Sequence, residues 1–438
     1  MRQMTMRFSW THIIILSLLT GGIGGALLAQ ISSSSLSLPL SIFLGVLYGL
    51  TFAWLFARLI VSVGSGLIWG LGSAFLLWLA VPMGILPFLQ GTAHMGMLDE
   101  ARAHFPELVT YLLCFGLPLG FLNGLLKMSK ASEENMHFTF LRAVTVGGLA
   151  GLVGGWAFSY WFAQNNAFVL IAGIVNSDSS AVGMLLHYLI AGSIGASFGL
   201  LFQRDVRSAG SSICWGLAYG LFWWFLGPLT LLPLLLHQPI DWSYLHAGAF
   251  FGSLVGHAVY GILLGWIYAW GNRLWLGLFV ESDPINRQAE GPGIVTLRSL
   301  GWGTLASGLG GLLFSIITVA TGVFPQVAVL MRGSSPLVGF AVYLVISVLI
   351  GMSYGLFFQH ESPDAGSSMA WGMLYGLAWW FLGPLTLMPI LLGHPVTWTI
   401  QAADLLLPSL PAHLIYGATM GLVFFLVRKP SYTMAAPR

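Results

Sequence analysis

Charge is scarce in this chain. Only 7% of its 438 residues are Asp, Glu, Lys or Arg, against about 25% in water-soluble domains, so a soluble globular domain is excluded. Cysteine is scarcer still, with Cys114 and Cys214 alone. Both sit in apolar runs without a second thiol at disulfide or metal spacing, which leaves no disulfide framework and no clue to redox compartment; packing is the usual role of such buried thiols. The net charge of +2 gives no motive for a nucleic-acid or other acidic partner. No run carries HExxH or two histidines at i, i+4, so the usual zinc spacing is missing, and neither metal nor cofactor is assigned.

What remains is apolar. Hydrophobic residues make up 57% of the chain and the mean hydropathy is +0.85, values that belong to a polytopic membrane protein with the bilayer as its first partner. The 56 glycines and 18 tryptophans suit helices that approach closely and anchor at the interface. Twelve apolar runs of membrane-spanning length follow one another, from Thr11–Ala29 to Leu406–Leu426. The first is long for a signal-peptide core, and no small-x-small pattern precedes Ile31, so it is expected to be a retained span. With the N-terminus inside, the inner segments hold Arg2, Arg7, Arg58, Lys127, Lys130, Arg142, Arg204, Arg207, Arg273, Arg287, Arg298, Arg428, Lys429 and Arg438, and the outer loops only Arg102 and Arg332. That asymmetry predicts twelve spans with both termini cytoplasmic. The 271–295 stretch then reads as an inner linker.

The runs are organised around a repeated stretch. Residues 209–233, AGSSICWGLAYGLFWWFLGPLTLLP, recur at 365–389 as AGSSMAWGMLYGLAWWFLGPLTLMP, differing at six of 25 positions, and a degenerate copy from Gly64 keeps Trp69, Gly70, Trp78, Pro82 and Pro87. The offset of 156 also carries Gly154 onto Gly310, Gly199 onto Gly355, Trp215 onto Trp371 and His257 onto His413; in the first copy it falls to 146, from Trp69 to Trp215. We therefore expect an all-α membrane protein of three four-span units, 1–130, 131–280 and 281–438. An even number of spans makes the units parallel, and a pseudo-threefold arrangement is the simplest outcome. Small residues four apart, such as Gly216 and Gly220 or Gly261 and Gly265, are expected to pack the helices.

Two features could carry function. In the third span of each unit, Trp223-Trp224 is followed by Gly227-Pro228 and Pro233, each proline removing a backbone donor. A kink or a break should result, freeing carbonyls for which Thr230 and its copy Thr386 are the nearest partners. Histidine is the second feature: His94, His104, His187, His237, His246, His257, His394 and His413 all fall in outer loops or outer halves of spans. His257 lies about 15 Å into its span at helical rise, a depth at which an ionisable side chain suggests function. His413 is its copy, but Tyr343 stands where His187 stands, and Leu112 where His257 does. The outer half of unit two is thus the candidate polar site, with His187, Trp224, Pro228, Thr230 and His257 and the copies Thr386 and His413. A single hydrogen bond from a buried imidazole to a facing helix is the simpler role.

The span opening at His187, HYLIAGSIGASFG, the Gly-Pro-rich segment after it and GHAVYG around His257 resemble the YagU-like family of bacterial inner-membrane proteins, over one four-span unit. The resemblance implies an inner-membrane location and a loose link to acid tolerance, without an established substrate. This chain departs from the pattern in being triplicated.

A transporter, channel or proton-linked protein handling a small solute or protons leads the functional readings. A structural or accessory membrane subunit follows, since Asp99, Glu100, Glu107, Asp178, Asp241 and Asp404 are all expected at the outer surface and no carboxylate is evident inside a span. An enzyme is third: Ser65 and Ser212 could be nucleophiles, but no base is placed beside either.

Overall fold

The computed structural model describes residues 10–31, 37–85, 97–128, 136–279, 292–319, 323–331, 333–361 and 364–428. Pro87, His94, the unit borders near 130 and 280 and residues 280–291 of the 271–295 linker lie outside the described residues. Twelve helices are long and apolar enough to cross a membrane: Thr11–Gln30, Leu38–Phe56, Val63–Ala80, Phe105–Lys127, Phe140–Gln164, Ser180–Phe202, Ala209–Leu235, Phe251–Leu276, Val295–Ile316, Pro336–Phe358, Ala365–Leu391 and Ser409–Val427, here spans 1 to 12. They answer to the twelve runs of the sequence, and no strand occurs among the described residues. Side chains such as Trp54, Leu149, Trp156, Leu185, Leu349 and Leu426 are exposed along them. In water this surface would be costly; in hydrocarbon it is matched to its solvent. The chain is a multi-pass membrane protein.

The chain divides into two compact units, Met1–Gly148 with Asn166–Asp205 and Leu221–Phe250, and Leu149–Asn165 with Val206–Gly220 and Phe251–Arg438. In the first, spans 1 and 2 meet through Gly21, Gly25, Gly45 and Gly49, and spans 3 and 4 through Gly66, Gly70, Gly116 and Gly120; a Cβ at any of these would run into facing backbone, usually a carbonyl oxygen. In the second, Gly216 and Gly220 face Gly261, Gly265 and the His257 carbonyl, Gly303 faces Gly351, and Gly372 and Gly376 face Gly417 and the His413 carbonyl. Lipid removes the hydrophobic drive between helices, so close backbone approach supplies much of the cohesion. Lys127 at the end of span 4 donates from Nζ to the carbonyls of Ala57 and Ile60, both at 2.7 Å, satisfying groups that the end of span 2 leaves open.

The connections are structured too. Ala167–Ala172 and Gly173–Val175 form a short α and a 3₁₀ turn between spans 5 and 6, and Val323–Ala328 and Val329–Met331 do the same between spans 9 and 10. Tyr244–Ala249 before span 8 corresponds to Ile400–Leu406 before span 12. Each pair stands 156 residues apart, the offset of the sequence. His237 and Gly393 share it as well, and both adopt a left-handed backbone, φ 55° and 74°, in the turn that leaves spans 7 and 11.

Candidate functional site

The prolines of spans 7 and 11 do not break their helices. Each span runs as a regular α-helix, Ala209–Leu226 or Ala365–Leu382, then as one widened π turn, Gly227–Leu231 or Gly383–Leu387, and closes with a last α turn. Widening to i→i−5 spacing makes room for a ring that would strike the carbonyl four residues back, and it tolerates the missing donor. Of the two expected outcomes, a kink or a break, the break is absent, and the accommodation is a π turn. Span 3 ends likewise in a π turn at Val81–Ile85 around Pro82. The partner role expected of the threonines is present: Thr230 Oγ1 donates to the Phe225 carbonyl at 2.8 Å, and Thr386 Oγ1 to the Phe381 carbonyl at 2.8 Å. Trp242 Nε1 donates in turn to Thr230 Oγ1 at 3.2 Å. Gly227 and Gly383, just before the prolines, have no atom where a Cβ would lie, so neither packing nor φ requires glycine there.

Trp224 has a precise job. Its Nε1 donates to the Phe250 carbonyl at 3.1 Å, tying span 7 to the segment just before span 8. Trp78 does the same to the His104 carbonyl at 2.8 Å, and Trp380 to the Leu406 carbonyl at 3.3 Å and Ser409 Oγ at 3.2 Å. Donor and acceptor are 26 residues apart each time. All three rings are buried, where an indole N–H needs such an acceptor. Sequence marks the tryptophans but not their partners, since carbonyls leave no compositional trace.

The histidines divide differently from the expectation. His257 Nδ1 lies 2.8 Å from the Ser253 carbonyl of its own span, and its ring stands edge-on to Phe158 at 5.0 Å. His413 repeats this against the Ser409 carbonyl at 2.8 Å and Phe314 at 5.2 Å. A carbonyl only accepts, so Nδ1 carries the hydrogen in both and Nε2 is the nitrogen able to take up a proton. The bond runs along the span rather than to a facing helix. The two histidines thus have matching settings, and what distinguishes the two halves lies at His187. That ring is buried in the first unit against Phe168 at 5.7 Å. Its counterpart Tyr343 stacks on Phe314 at 5.5 Å and donates to the Gly311 carbonyl at 3.0 Å. Beside it Ser347 Oγ donates to the Ser307 carbonyl and to Tyr416 Oη, both at 3.1 Å. Phe314 therefore brings Tyr343, Tyr416 and His413 together in the second unit. His187, Trp224, Pro228 and Thr230 belong to the first unit; His257, Thr386 and His413 to the second.

Sequence reasoning missed two acids. Asp205 and Glu361, in the turns after spans 6 and 10, are only 6% and 5% exposed. Asp205 accepts from Ser62 Oγ, and Glu361 from Ser211 Oγ at 3.0 Å. The available signal was their shared offset of 156 in turns that otherwise read as solvated loops. The imagined nucleophiles have other tasks: Ser65 forms a capping box with Ser62 at the start of span 3, and Ser212 Oγ donates to the Gly265 carbonyl at 2.6 Å.

Outside the spans, Asp364 caps span 11, and the Ser367 hydroxyl and amide hold its carboxyl below the usual range. Asp241 is lowered by the Ser243 amide and hydroxyl. Burial pushes His360 down, with Arg428 and Arg273 adding to the shift. Among the described residues no three His, Cys, Asp or Glu side chains gather as metal ligands would.

No protein-family model, curated protein or solved structure matches this chain.

Proposed function

We propose that this chain is a bacterial inner-membrane protein with both termini cytoplasmic, built as three parallel four-span repeats about a pseudo-threefold axis. In this reading it acts as a transporter, channel or proton-linked protein on a small solute or protons. The observation that carries the reading is the twice-repeated π turn, where Thr230 or Thr386 engages a carbonyl beside a glycine whose flank is open. Irregular backbone at membrane depth persists where it borders a cavity or is covered by protein, and non-helical segments in transporters often form substrate sites. The likeness of GHAVYG and HYLIAGSIGASFG to YagU-like proteins adds an acid-exposed membrane. His257 and His413, protonatable at Nε2, suit such a setting.

Proteoliposomes holding a pH-sensitive dye test this reading. An imposed pH gradient should collapse severalfold faster with protein than without, and Gly227→Val with Gly383→Val should slow it while the fold survives. Val81 already occupies that position in the first repeat, so the substitution has a precedent within the chain. Dye traces identical to protein-free vesicles would sink the proton-linked reading. Topology is tested by cysteines at Ser179 and Ser243, expected to label from outside, and at Ser132 and Ser282, expected to label only after permeabilisation.

An accessory, structural subunit is the second reading. It is favoured by the matching, hydrogen-bonded settings of His257 and His413, which resemble scaffold more than a specialised site. The capping and packing roles of Ser65 and Ser212 weigh against an enzyme.

A further inference from the structure

We propose that Asp205 and Glu361 are latches between consecutive repeats, each anchoring the inner end of the π-turned third span of the repeat before it. The two joints share a turn and a ring, and close on the capping serine in one case and on the serine three residues after the cap in the other. Span 6 ends in a turn in which the Asp205 N–H bonds the Phe202 carbonyl, and span 10 in one in which the Glu361 N–H bonds the Phe358 carbonyl. The ring and the acid of each turn work together. Phe202 lies where a Cβ of Gly64 would be, and Phe358 where a Cβ of Gly210 would be. The carboxylates then close on Ser62 and Ser211, which cap or follow the cap of spans 3 and 7 and are themselves buried.

Physical chemistry gives the joint its strength. The first turn of a helix leaves amides unpaired and carries a partial positive charge, which favours an anion beside it. A carboxylate this deeply buried is costly unless it is hydrogen-bonded, and Ser62 and Ser211 each supply such a bond. Span 11 carries its own acid, and the turn after span 2 carries none. Leu59 occupies the place of Asp205 and Glu361, its N–H bonded to the Phe56 carbonyl in the same turn, while Asp364 occupies the place of Ser62 and Ser208 and caps its own helix. Every third span therefore starts on one carboxylate: borrowed from the following repeat for spans 3 and 7, its own for span 11. A span fixed at its inner end, and relaxed by a π turn toward its outer end, is one whose movement these joints govern. The inference does not depend on what crosses the membrane.

Cys214 reports on the second latch. It lies one turn beyond Ser211 on the same helical face, is 1% exposed, and packs in a cluster with Phe358 and Tyr375. The experiment is alkylation of Cys214 by N-ethylmaleimide in membranes holding the full chain with Cys114→Ser. The latched protein should react slowly. Glu361→Gln and Ser211→Ala should each speed the reaction at least tenfold, and the double variant should be no faster than the singles, because both break one joint. Asp364→Asn should leave the rate unchanged. Should Glu361→Gln fail to reach the membrane, Ser211→Ala against Ser211→Thr decides: fast for alanine and slow for threonine supports the latch, equal rates overturn it. Rates within twofold of the parent in both single variants would also overturn it, as would single effects that multiply in the double. For the first latch, a cysteine placed at Ile68, the counterpart of Cys214, should respond in the same way to Asp205→Asn.

Discussion

The stretches of spans 5 to 8 and of spans 9 to 12, the second and third of the expected repeats, share a frame and differ in one seam. Spans 7 and 8 meet through the same glycines as spans 11 and 12, the π turns carry the same threonine bond, and His257 and His413 rest on matching carbonyls and rings. Between spans 9, 10 and 12, however, Ser307, Ser347, Tyr343 and Tyr416 make a buried hydroxyl network, where the second repeat has Gly151, Ala191, His187 and Tyr260. The frame thus tolerates no drift in backbone spacing, whereas the seam between the first two spans and the fourth is free to exchange small apolar residues for hydroxyls. Functional divergence between the repeats is to be sought in that seam.

The largest effect should come from the frame and be equal on both sides. Gly220→Leu and Gly376→Leu push a side chain into the carbonyls of His257 and His413, overpacking that costs about 3 kcal/mol or more in a tight interface. Both should abolish a monodisperse peak in fluorescence-detected size-exclusion chromatography. A variant that kept its peak would show that the two interfaces are not equivalent.

The seam should respond on one side only. Ser347→Ala removes the donor to the Ser307 carbonyl and the partner of Tyr416. Interhelical hydrogen bonds in membranes contribute about 0.6 kcal/mol on average and about 1.7 at most, so thermal stability should fall by an amount in that range. Ala191→Ser in the second repeat should restore nothing when combined with it.

A smaller contrast sits in the turns that leave spans 7 and 11. His237 holds a left-handed backbone where the third repeat uses Gly393. A non-glycine residue there costs about 1 kcal/mol, so His237→Gly should raise the thermal midpoint, and Gly393→His should lower it by a similar amount. Equal midpoints would mean that the histidine side chain repays its strain.

The smallest effect concerns pH. The folded protein holds the Asp364 carboxyl below its ordinary value. Its contribution is therefore present above the unfolded value of about 4 and is lost as pH falls through the folded one. Comparing thermal midpoints of the parent and Asp364→Asn between pH 7 and 3 should show a small advantage for the parent that closes below about pH 4. Ser208→Ala, at the uncharged counterpart, should show no such closing.

Much of the frame was legible because it is written in period and composition. Twelve long apolar runs can only be spans, glycines four apart can only be interfaces in lipid, and a proline inside a span forces some accommodation. Thr230 was recoverable as the hydroxyl nearest a freed carbonyl. The form of that accommodation was not legible, since a π turn and a break require the same residues and differ only in whether neighbours hold the helix together. Acceptors such as the Phe250 and His104 carbonyls are invisible in any sequence. Asp205 and Glu361 were hidden by their company: an acid next to Arg204 in a short connection reads as solvated, and only packing against Ser62 or Ser211 makes it a buried joint. The match between His257 and His413 was also hidden, because it depends on Phe158 and Phe314, two ordinary apolar residues until the helices are assembled.

The tryptophan ties act as a ruler on chain length. A tryptophan donor on span 3, 7 or 11 that reaches a carbonyl 26 residues later fixes how much chain can lie between them, and that count is the same in all three places. The segments differ in length elsewhere: Lys127 to Leu141 is ten residues shorter than Arg273 to Leu297, and Gln30 to Leu38 is eight shorter than Gln164 to Ser180. A reporter domain spliced between Leu236 and Tyr244 should therefore be rejected by the fold, while the same domain spliced near Asp283, in a connection whose length already differs from its counterpart after Lys127, should be carried.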